Sequence, residues 1–384
     1  MRQGWERSTI GDFCEVIAGQ SPEGKYYNAD GIGLPFYQGK KDFGEKFIKA
    51  PTTWTSSTTK TARKGDILMS VRAPVGPINF ANDDICIGRG LAAIRSKGQL
   101  DGDFLFYQLL HLQPELAGKE GAVFASINKS EIAALPISVG PLPEQHRIVA
   151  ILDEAFDGIA TAKANAEKNL QNARALFESH LQAVFTERGE GWVTRKVSEI
   201  AKHSLGKMLD KAKNKGESQP YLRNLNVRWF KFDLSDLLEM PFLPNEVEKY
   251  TAIKGDVLIC EGGYPGRAAI WNEDYPIYFQ KALHRVRFHE QEQNKWFVYF
   301  LYSQDKAGEL KKHFNGAGIQ HFTGEGLARF EVPLPPLTEL RCFVEKFDVL
   351  AAETQHLESL YQQKLTALDD LKKSLLHQAF SGAL

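Results

Sequence analysis

Three side chains near the N-terminus have a spacing that suits metal-dependent nuclease chemistry. Asp12 is followed by Glu23-Gly24-Lys25, which matches a loose pattern of an acid, then an acid, any residue and a lysine. In such sites carboxylates hold a metal ion that activates water. However, Ser21-Pro22 beside the motif predicts a turn, whereas a metal site of this kind needs a buried strand. We therefore do not expect a nuclease centre here.

Other motifs that carry chemistry are missing from the sequence. There is no GxxxxGK[ST], HExxH or GxSxG, and no Asn-Pro-Pro-aromatic segment. No histidine has the spacing of a catalytic triad. The four cysteines are Cys14, Cys86, Cys260 and Cys342. They form no CxxC pair, which argues against a zinc site and suits a reducing cytoplasm. We expect a cytoplasmic chain with no catalytic site, no metal and no bound cofactor.

Bulk properties predict a globular protein of more than one domain. The chain has 384 residues, of which 43% are hydrophobic and 25% charged. No segment approaches the roughly 20 apolar residues of a membrane span, and the first residues lack the apolar stretch of a secretory signal. The net charge of −1 does not by itself suggest nucleic acid.

The chain is internally duplicated. Gly4-Trp5 recurs as Gly191-Trp192, and Lys64-Gly65-Asp66 recurs as Lys254-Gly255-Asp256. From Pro141 and Pro336 onward the two copies run at a constant offset of 195 residues. Such matches in one order indicate duplication of a unit of about half the chain.

Each copy has a mixed globular part followed by a long helix. Lys-Gly-Asp predicts a turn that leads into a buried strand, and residues 103–112 and 294–303 predict short helices. Residues from Glu144 to about 185 and from Glu339 to about 380 contain a single glycine and no proline. Each span is roughly 60 Å long, which exceeds a domain of this size and favours mutual pairing over two independent amphipathic helices. The apolar 3-4 spacing predicts these pairing residues: Ile148, Leu152, Ile159, Leu176, Phe343, Phe347, Leu350, Leu357, Tyr361, Leu368, Leu371 and Leu375.

We therefore predict an α+β fold with four segments. Two mixed α/β domains cover residues 1–141 and 188–336. They alternate with helical arms at 142–187 and 337–384, which pair as an antiparallel coiled coil, and the duplication implies pseudo-two-fold symmetry.

This order of segments resembles the specificity subunits of type I restriction–modification systems. Pro141-Leu142-Pro143-Glu144-Gln145 is similar to the family's entry into its conserved helix, although the second copy has Leu340 where Gln is usual. The ending from Leu375 to Leu384 and the block Tyr221-Leu222-Arg223-Asn224 also resemble the family.

The resemblance implies two target-recognition domains that each read one half of a split, asymmetric site in double-stranded DNA. The paired helices would set the distance between the halves. Two copies of an adenine methyltransferase subunit would dock on the arms, and motor–nuclease subunits would join that core. S-adenosylmethionine, ATP and Mg²⁺ would bind those partners.

Base contacts usually come from Arg, Lys, Asn and Gln in the major groove. In the second domain the polar residues Arg223, Asn224, Asn226 and Arg228 alternate with Leu225 and Val227, which predicts that the polar ones face solvent. Arg267, which follows a glycine loop, is another candidate for DNA contact. Further candidates are Lys281, His284, Arg285, Gln320 and His321.

The first domain offers a matching set of candidates. These are Gln38, Lys40, Lys41, Arg72, Arg89, Ser126 and Asn128. Asn128-x-x-Glu131 is a capping pattern, so a helix start there is a candidate phosphate site. For each candidate a solvated surface role stays open. For the whole chain, two alternatives stay open: a protein–protein scaffold without DNA and an enzyme with an unrecognised site.

Overall fold

The chain divides into two units of similar size. The computed structural model describes residues 4–116, 126–210, 214–316, 318–381 and 383–384. The first unit runs to Glu167 and also takes in Gln363–Leu384, and the second unit is Lys168–Gln362. Helices α4 (Leu142–Glu187) and α9 (Leu337–Ser381) each contribute to both units. No helix among the described residues has the length and apolar character needed to cross a membrane.

The first unit contains three sheets and three shorter helices among its described residues. They are β1 (Glu6–Thr9), α1 (Ile10–Phe13), β2 (Cys14–Ala18), β3 (Tyr27–Asn28), β4 (Leu34–Tyr37), β5 (Trp54–Thr55), β6 (Thr61–Ala62), β7 (Ile67–Ser70), β8 (Ile78–Phe80), β9 (Ile85–Ile87), β10 (Leu91–Ser96), α2 (Gly102–Leu116), α3 (Lys129–Ala133) and β11 (Pro136–Val139). The sheet orders are β1-β11, β2-β10-β7-β8 and β3-β5-β4-β9-β6.

The second unit repeats most of this plan. Its elements are β12 (Val193–Lys196), α5 (Val197–Ile200), β13 (Ala201–Leu205), β14 (Glu217–Leu222), β15 (Val227–Arg228), β16 (Lys231–Phe232), β17 (Leu238–Phe242), α6 (Val247–Tyr250), β18 (Thr251–Ala252), β19 (Val257–Cys260), β20 (Ala268–Ile270), β21 (Ile277–Phe279), β22 (Leu283–Phe288), α7 (Gln293–Lys306), α8 (Gly324–Arg329) and β23 (Glu331–Leu334). The sheets β12-β23 and β13-β22-β19-β20 match the first two sheets of the first unit.

Each Lys-Gly-Asp turn leads into a buried strand, as predicted, and its aspartate holds an arginine of the neighbouring strand. Arg95 Nε and Nη2 donate to the two carboxylate oxygens of Asp66 at 2.9 and 2.7 Å. Arg287 makes the same two bonds to Asp256 at 2.7 and 2.6 Å. Both aspartates are buried. Because a buried carboxylate needs a partner, this pair fixes the sheet register in both copies.

Inside each unit the segments of α4 and α9 run antiparallel. In the first unit Lys163 forms an ion pair with Asp369, and Lys372 lies over the Phe156 ring at 4.6 Å. In the second unit Arg174 Nε lies 2.6 Å from Glu358 Oε1. The predicted mixed α/β fold with duplicated units and long helices is confirmed.

The start of α4 is held by a buried glutamine. Gln145 Nε2 donates to the carbonyls of Gly140 and Gln99, and its Oε1 accepts from the N–H of Asp101 at 2.8 Å. Leu340 occupies the equivalent position in α9 and is buried. The second copy therefore replaces a polar anchor with apolar packing.

The predicted seam needs correction in three places. Leu176 is 65% exposed, and Leu357 and Leu371 are 39% and 46% exposed. Phe177 and Thr354 are buried instead. A helix turns about 100° per residue, so a step of four from Ala173 reaches Phe177 and carries Leu176 out of the seam. The other predicted seam residues are buried or half-buried: Ile148, Leu152, Ile159, Phe343, Phe347, Leu350, Tyr361, Leu368 and Leu375.

Candidate nucleic-acid interface

Two loops of the first unit meet at Gly88 and Gly90. The N–H of Leu91 donates to the carbonyl of Gly88 at 3.0 Å, which closes a turn with Arg89 at its tip. A Cβ on Gly90 would lie 2.2 Å from the carbonyl oxygen of Gln38, so only glycine allows this approach. Arg89 and Gln38 therefore project from backbone segments that are in contact, and both are exposed.

Ser21 joins these two segments through its hydroxyl. Its Oγ accepts from Nε2 of Gln38 at 3.4 Å and from the backbone N–H of Arg89 at 3.3 Å. From the sequence alone, Ser21 is only part of a predicted turn. Its partners lie 17 and 68 residues away, and no local pattern indicates such contacts.

A third loop brings Arg72 and Ser126 to the same place. The N–H of Val71 donates to the carbonyl of Gly90, and the N–H of Ile127 donates to the carbonyl of Val71, both at 3.0 Å. Arg72 and Ser126 form an isolated β-bridge, and both are exposed. The first unit thus gathers four of its predicted residues at one set of loops.

Lys40 and Lys41 begin the 3₁₀ turn Lys40–Asp42, directly after this set of loops. Both are exposed. With the described residues, neither lysine forms an ion pair, and the same holds for Arg72 and Arg89. Four cations that form no ion pair with the described residues, together with an exposed amide, suit contact with a phosphate backbone and with base edges.

The second unit builds these loops with the same main-chain hydrogen bonds. The N–H of Leu283 donates to the carbonyl of Gln280 at 2.9 Å, which closes the turn that carries Lys281. The N–H of Glu261 donates to the carbonyl of Ala282 at 2.9 Å, and the N–H of Phe322 donates to the carbonyl of Glu261 at 2.8 Å. Two further main-chain bonds recur. The N–H of Gly88 donates to the carbonyl of Tyr37, as that of Gln280 does to the carbonyl of Leu222. The N–H of Gly19 donates to the carbonyl of Leu91, as that of Gly206 does to the carbonyl of Leu283.

The side chains on this shared scaffold differ between the units. Lys281 replaces Arg89 and is exposed, and Gly262 replaces Arg72. His321 replaces Ser126 and is half-buried. It packs on Gly262, where an added Cβ would lie 3.0 Å from Nδ1 of the ring. Gln320 beside it is exposed. The two units therefore present different chemistry on equivalent loops.

Several predicted residues of the second unit form hydrogen bonds within the protein. Arg223 Nη2 donates to the carbonyl and carboxylate of Asp236 at 2.9 and 2.7 Å, and its side chain is 16% exposed. Asn224 donates to the carbonyl of Gly262 at 3.1 Å and accepts from Arg267 at its own carbonyl at 3.0 Å. Arg228 bonds the carbonyl of Leu225.

The predicted alternation of polar and apolar residues is wrong at Leu225 and Asn226. Leu225 is 59% exposed, whereas Asn226 is 2% exposed. The segment Asn224–Asn226 is a 3₁₀ turn and not a strand, so consecutive side chains do not alternate between two faces. Asn226 accepts from the N–H of Arg223 and donates to the carbonyls of Asp233 and Asp236. Its amide is used in the fold, so we expect no base contact from it.

His284 and Arg285 also take internal positions. His284 is 1% exposed, and its Nε2 lies 3.0 Å from the carbonyl oxygen of Phe322. Burial lowers the pKa of His284 to about 4, so the ring is neutral near pH 7. Arg285 Nη1 donates to the carbonyls of Thr251 and Glu248 at 2.6 and 2.9 Å. A base contact is not expected from either.

Asn128 is an N-cap. Its Oδ1 accepts from the N–H groups of Ser130 and Glu131 at 2.9 and 3.0 Å, and Glu131 accepts from the N–H of Asn128 at 2.7 Å. This is the predicted capping box. The cap uses these N–H groups, and α3 has only five residues, so the proposed phosphate site has no support here.

The two acids of the nuclease-like pattern, Asp12 and Glu23, interact with residues close to them in sequence. Asp12 accepts hydrogen bonds from the hydroxyl of Thr9, from Ser8 Oγ and from the N–H of Thr9, and these bonds lower the pKa of Asp12. Glu23 pairs with Lys25 at 2.6 Å. Across the described ranges, no group of three or more His, Cys, Asp or Glu side chains is arranged to hold a metal ion.

Comparison with known proteins gives consistent matches. The family described as type I restriction modification DNA specificity domain matches residues 2–171 and 189–375. The putative type I restriction enzyme MjaX specificity subunit of Methanocaldococcus jannaschii is 39% identical over 44% of this chain, a stretch that covers 40% of that protein. The MjaVIII specificity subunit of the same organism is 22% identical over 99% of this chain and 93% of its own length.

A solved structure shares the fold. It concerns complex assembly and conformational transition of the type I R-M system, and one of its chains superposes with a TM-score of 0.83 at 18% identity. The match covers 100% of this chain and 99% of that chain.

Proposed function

This chain belongs to the type I restriction modification DNA specificity family, and we propose that it reads a bipartite, asymmetric site in double-stranded DNA. Each unit would read one half of that site. The family implies recognition of a DNA sequence, and the division into two unlike halves is the finer step of the proposal.

One observation supports two unlike half-sites. The same main-chain scaffold occurs in both units, but it carries Gln38, Arg72 and Arg89 in the first and Lys281 with His321 in the second. Equivalent main-chain hydrogen bonds favour the same mode of approach to DNA by both units. Different hydrogen-bonding groups at equivalent positions favour different bases.

We assign catalysis to partner subunits. Adenine methylation and DNA cleavage would be performed by a methyltransferase subunit and a motor–nuclease subunit. S-adenosylmethionine, ATP and Mg²⁺ would bind there, with this chain as the DNA-reading scaffold.

Exposed leucines on the helices support two equivalent docking faces for the methyltransferase subunit. Leu176 in the second unit and Leu371 in the first are 195 residues apart, the offset of the repeat, and both are exposed. Leu176 lines a groove of about 500 Å³ together with His180, Lys346, Val349 and Glu353. Exposed leucines at equivalent positions of the repeat fit two copies of one partner.

Co-expression with the methyltransferase subunit, followed by sequencing of methylated adenines, tests the proposal. We expect one bipartite motif with two different halves, and duplex binding that weakens as salt rises. A complex that forms but methylates no defined sequence and shows no salt-dependent binding would instead favour a protein–protein scaffold. Turnover by this chain alone would contradict the assignment of catalysis to the partners.

A further inference from the structure

Gln38 and Arg89 are two exposed polar side chains that the first unit holds together through one contact network. The Ser21 hydroxyl accepts from the Gln38 amide and from the Arg89 backbone. Gly88 and Gly90 allow the turn to lie against Gln38, because a Cβ at Gly88 would be 3.0 Å from the Gln38 Cγ. The fold therefore sets the position of the Gln38 side chain relative to the main chain of Arg89.

The equivalent positions of the second unit carry no such pair. Arg223, which replaces Gln38, is bound to Asp236, and Met208 stands where the first unit has Ser21. The arrangement of Gln38, Arg89 and Ser21 is thus a property of one half of the molecule. A feature that differs between equivalent loops is what discrimination between half-sites requires.

We propose that Gln38 and Arg89 read bases within one half-site, and that Ser21 is a positioning residue for both. This rests on the proposed function and deepens it by naming bases. The geometry of a glutamine amide matches the N6 and N7 atoms of adenine, and that of an arginine guanidinium matches O6 and N7 of guanine. The half-site read by the first unit therefore contains an adenine and a guanine at these contacts.

Gln38 distinguishes base reading from simple phosphate binding. A neutral amide can donate a hydrogen bond to a phosphate but neutralises none of its charge, whereas Lys40, Lys41 and Arg72 nearby supply charge for the backbone. Arg89 lies at the tip of its turn, its side chain is exposed, and it forms no ion pair with the described residues. The lysines and Arg72 thus position the duplex, and Gln38 with Arg89 select its sequence.

The test uses the full chain co-expressed with the methyltransferase subunit, with Gln38→Ala, Arg89→Ala, Arg89→Lys and Ser21→Ala. The control is Lys97→Ala, an exposed cation at the opposite end of β10 from Arg89. The readout is the methylated motif, together with complex formation and melting temperature. Arg89→Lys keeps the charge but loses the planar fork, so it separates base contact from phosphate contact without a large change in packing.

We expect Gln38→Ala and Arg89→Ala each to relax a base position in the same half, by about 5- to 150-fold in discrimination, with the other half unchanged. Arg89→Lys should relax the same position as Arg89→Ala. Ser21→Ala should relax both positions more weakly at unchanged melting temperature, and Lys97→Ala should leave the motif intact.

Three results would overturn the inference. An unchanged motif in the Gln38 and Arg89 variants would contradict this inference but not the proposed function. Equal weakening at every sequence, with a smaller salt dependence, would make these residues phosphate contacts. A wild-type complex that methylates no defined motif would remove the proposed function and this inference together.

Discussion

The side-chain amide of Gln108 bonds both main-chain groups of Ser138. Nε2 donates to the carbonyl at 2.8 Å, and Oε1 accepts from the N–H at 3.0 Å. The second unit has Phe300 and Pro333 at these positions, and Trp296 Nε1 donates to the Pro333 carbonyl at 2.7 Å. Proline has no N–H to satisfy, so one donor suffices there. The two copies thus reach the same helix–strand contact by different chemistry.

Gln108→Ala should destabilise the first unit. It leaves the N–H and carbonyl of Ser138 without a side-chain partner, at a cost of about 2–4 kcal/mol. Chemical denaturation measures the loss, with Gln171→Ala on the exposed face of α4 as control. Equal stability of both variants would show that water replaces the amide.

Asn226→Ala should lower stability without relaxing the recognised motif. The variant removes three internal hydrogen bonds from a buried side chain, which costs about 2–4 kcal/mol. Melting temperature and the methylated motif are measured on the same preparation. A relaxed motif at wild-type stability would restore Asn226 to the base-contacting residues.

Stability should fall as pH decreases from about 6.5 to 4 because His284 is buried and neutral. The unfolded chain binds a proton near the ordinary histidine pKa of about 6.5, whereas the folded pKa is about 4. The contribution is therefore complete above about pH 6.5 and is lost progressively below it, on the order of 2–4 kcal/mol. His203 also opposes protonation of this ring.

The matched variants are His284→Ala and His289→Ala, the latter at an exposed position just after β22. Denaturation at about pH 7.5 and about pH 4.5 should show a smaller difference for His284→Ala than for the wild type, because these values lie on either side of the ordinary histidine pKa. His289→Ala should keep the wild-type difference. Equal pH dependence in all three proteins would assign the acid sensitivity to other groups.

Leu176→Asp and Leu371→Asp should each remove one bound methyltransferase subunit. A carboxylate on an apolar docking face is desolvated on binding, which opposes association. Native mass spectrometry at saturating partner gives the stoichiometry, with Ile32→Asp as an exposed control away from the helices. Two bound subunits in both leucine variants would place docking elsewhere.

The repeat made much of the fold predictable, because a constant offset of 195 residues carries the same apolar pattern through both helices. The exact residues of the helix seam could not be predicted in this way. Leu176 and Phe177 are adjacent and both apolar, and only packing decides which one is buried. Local pattern also failed at Asn226, where a 3₁₀ turn replaces the expected strand. Arg223 and Ser21 depend on partners distant in sequence, which a single sequence does not reveal.

The loop scaffold around Gly90 tolerates substitutions at the exposed positions that it carries. Its hydrogen bonds join main-chain atoms, so a codon change at position 72 or 89 alters the surface chemistry and leaves the path of the chain intact. On the proposed function, recognition can therefore change by single mutations that leave the fold intact. On the proposed function, one such mutation redirects every enzyme docked on this chain at once, so a lineage acquires a new target sequence in a single heritable step.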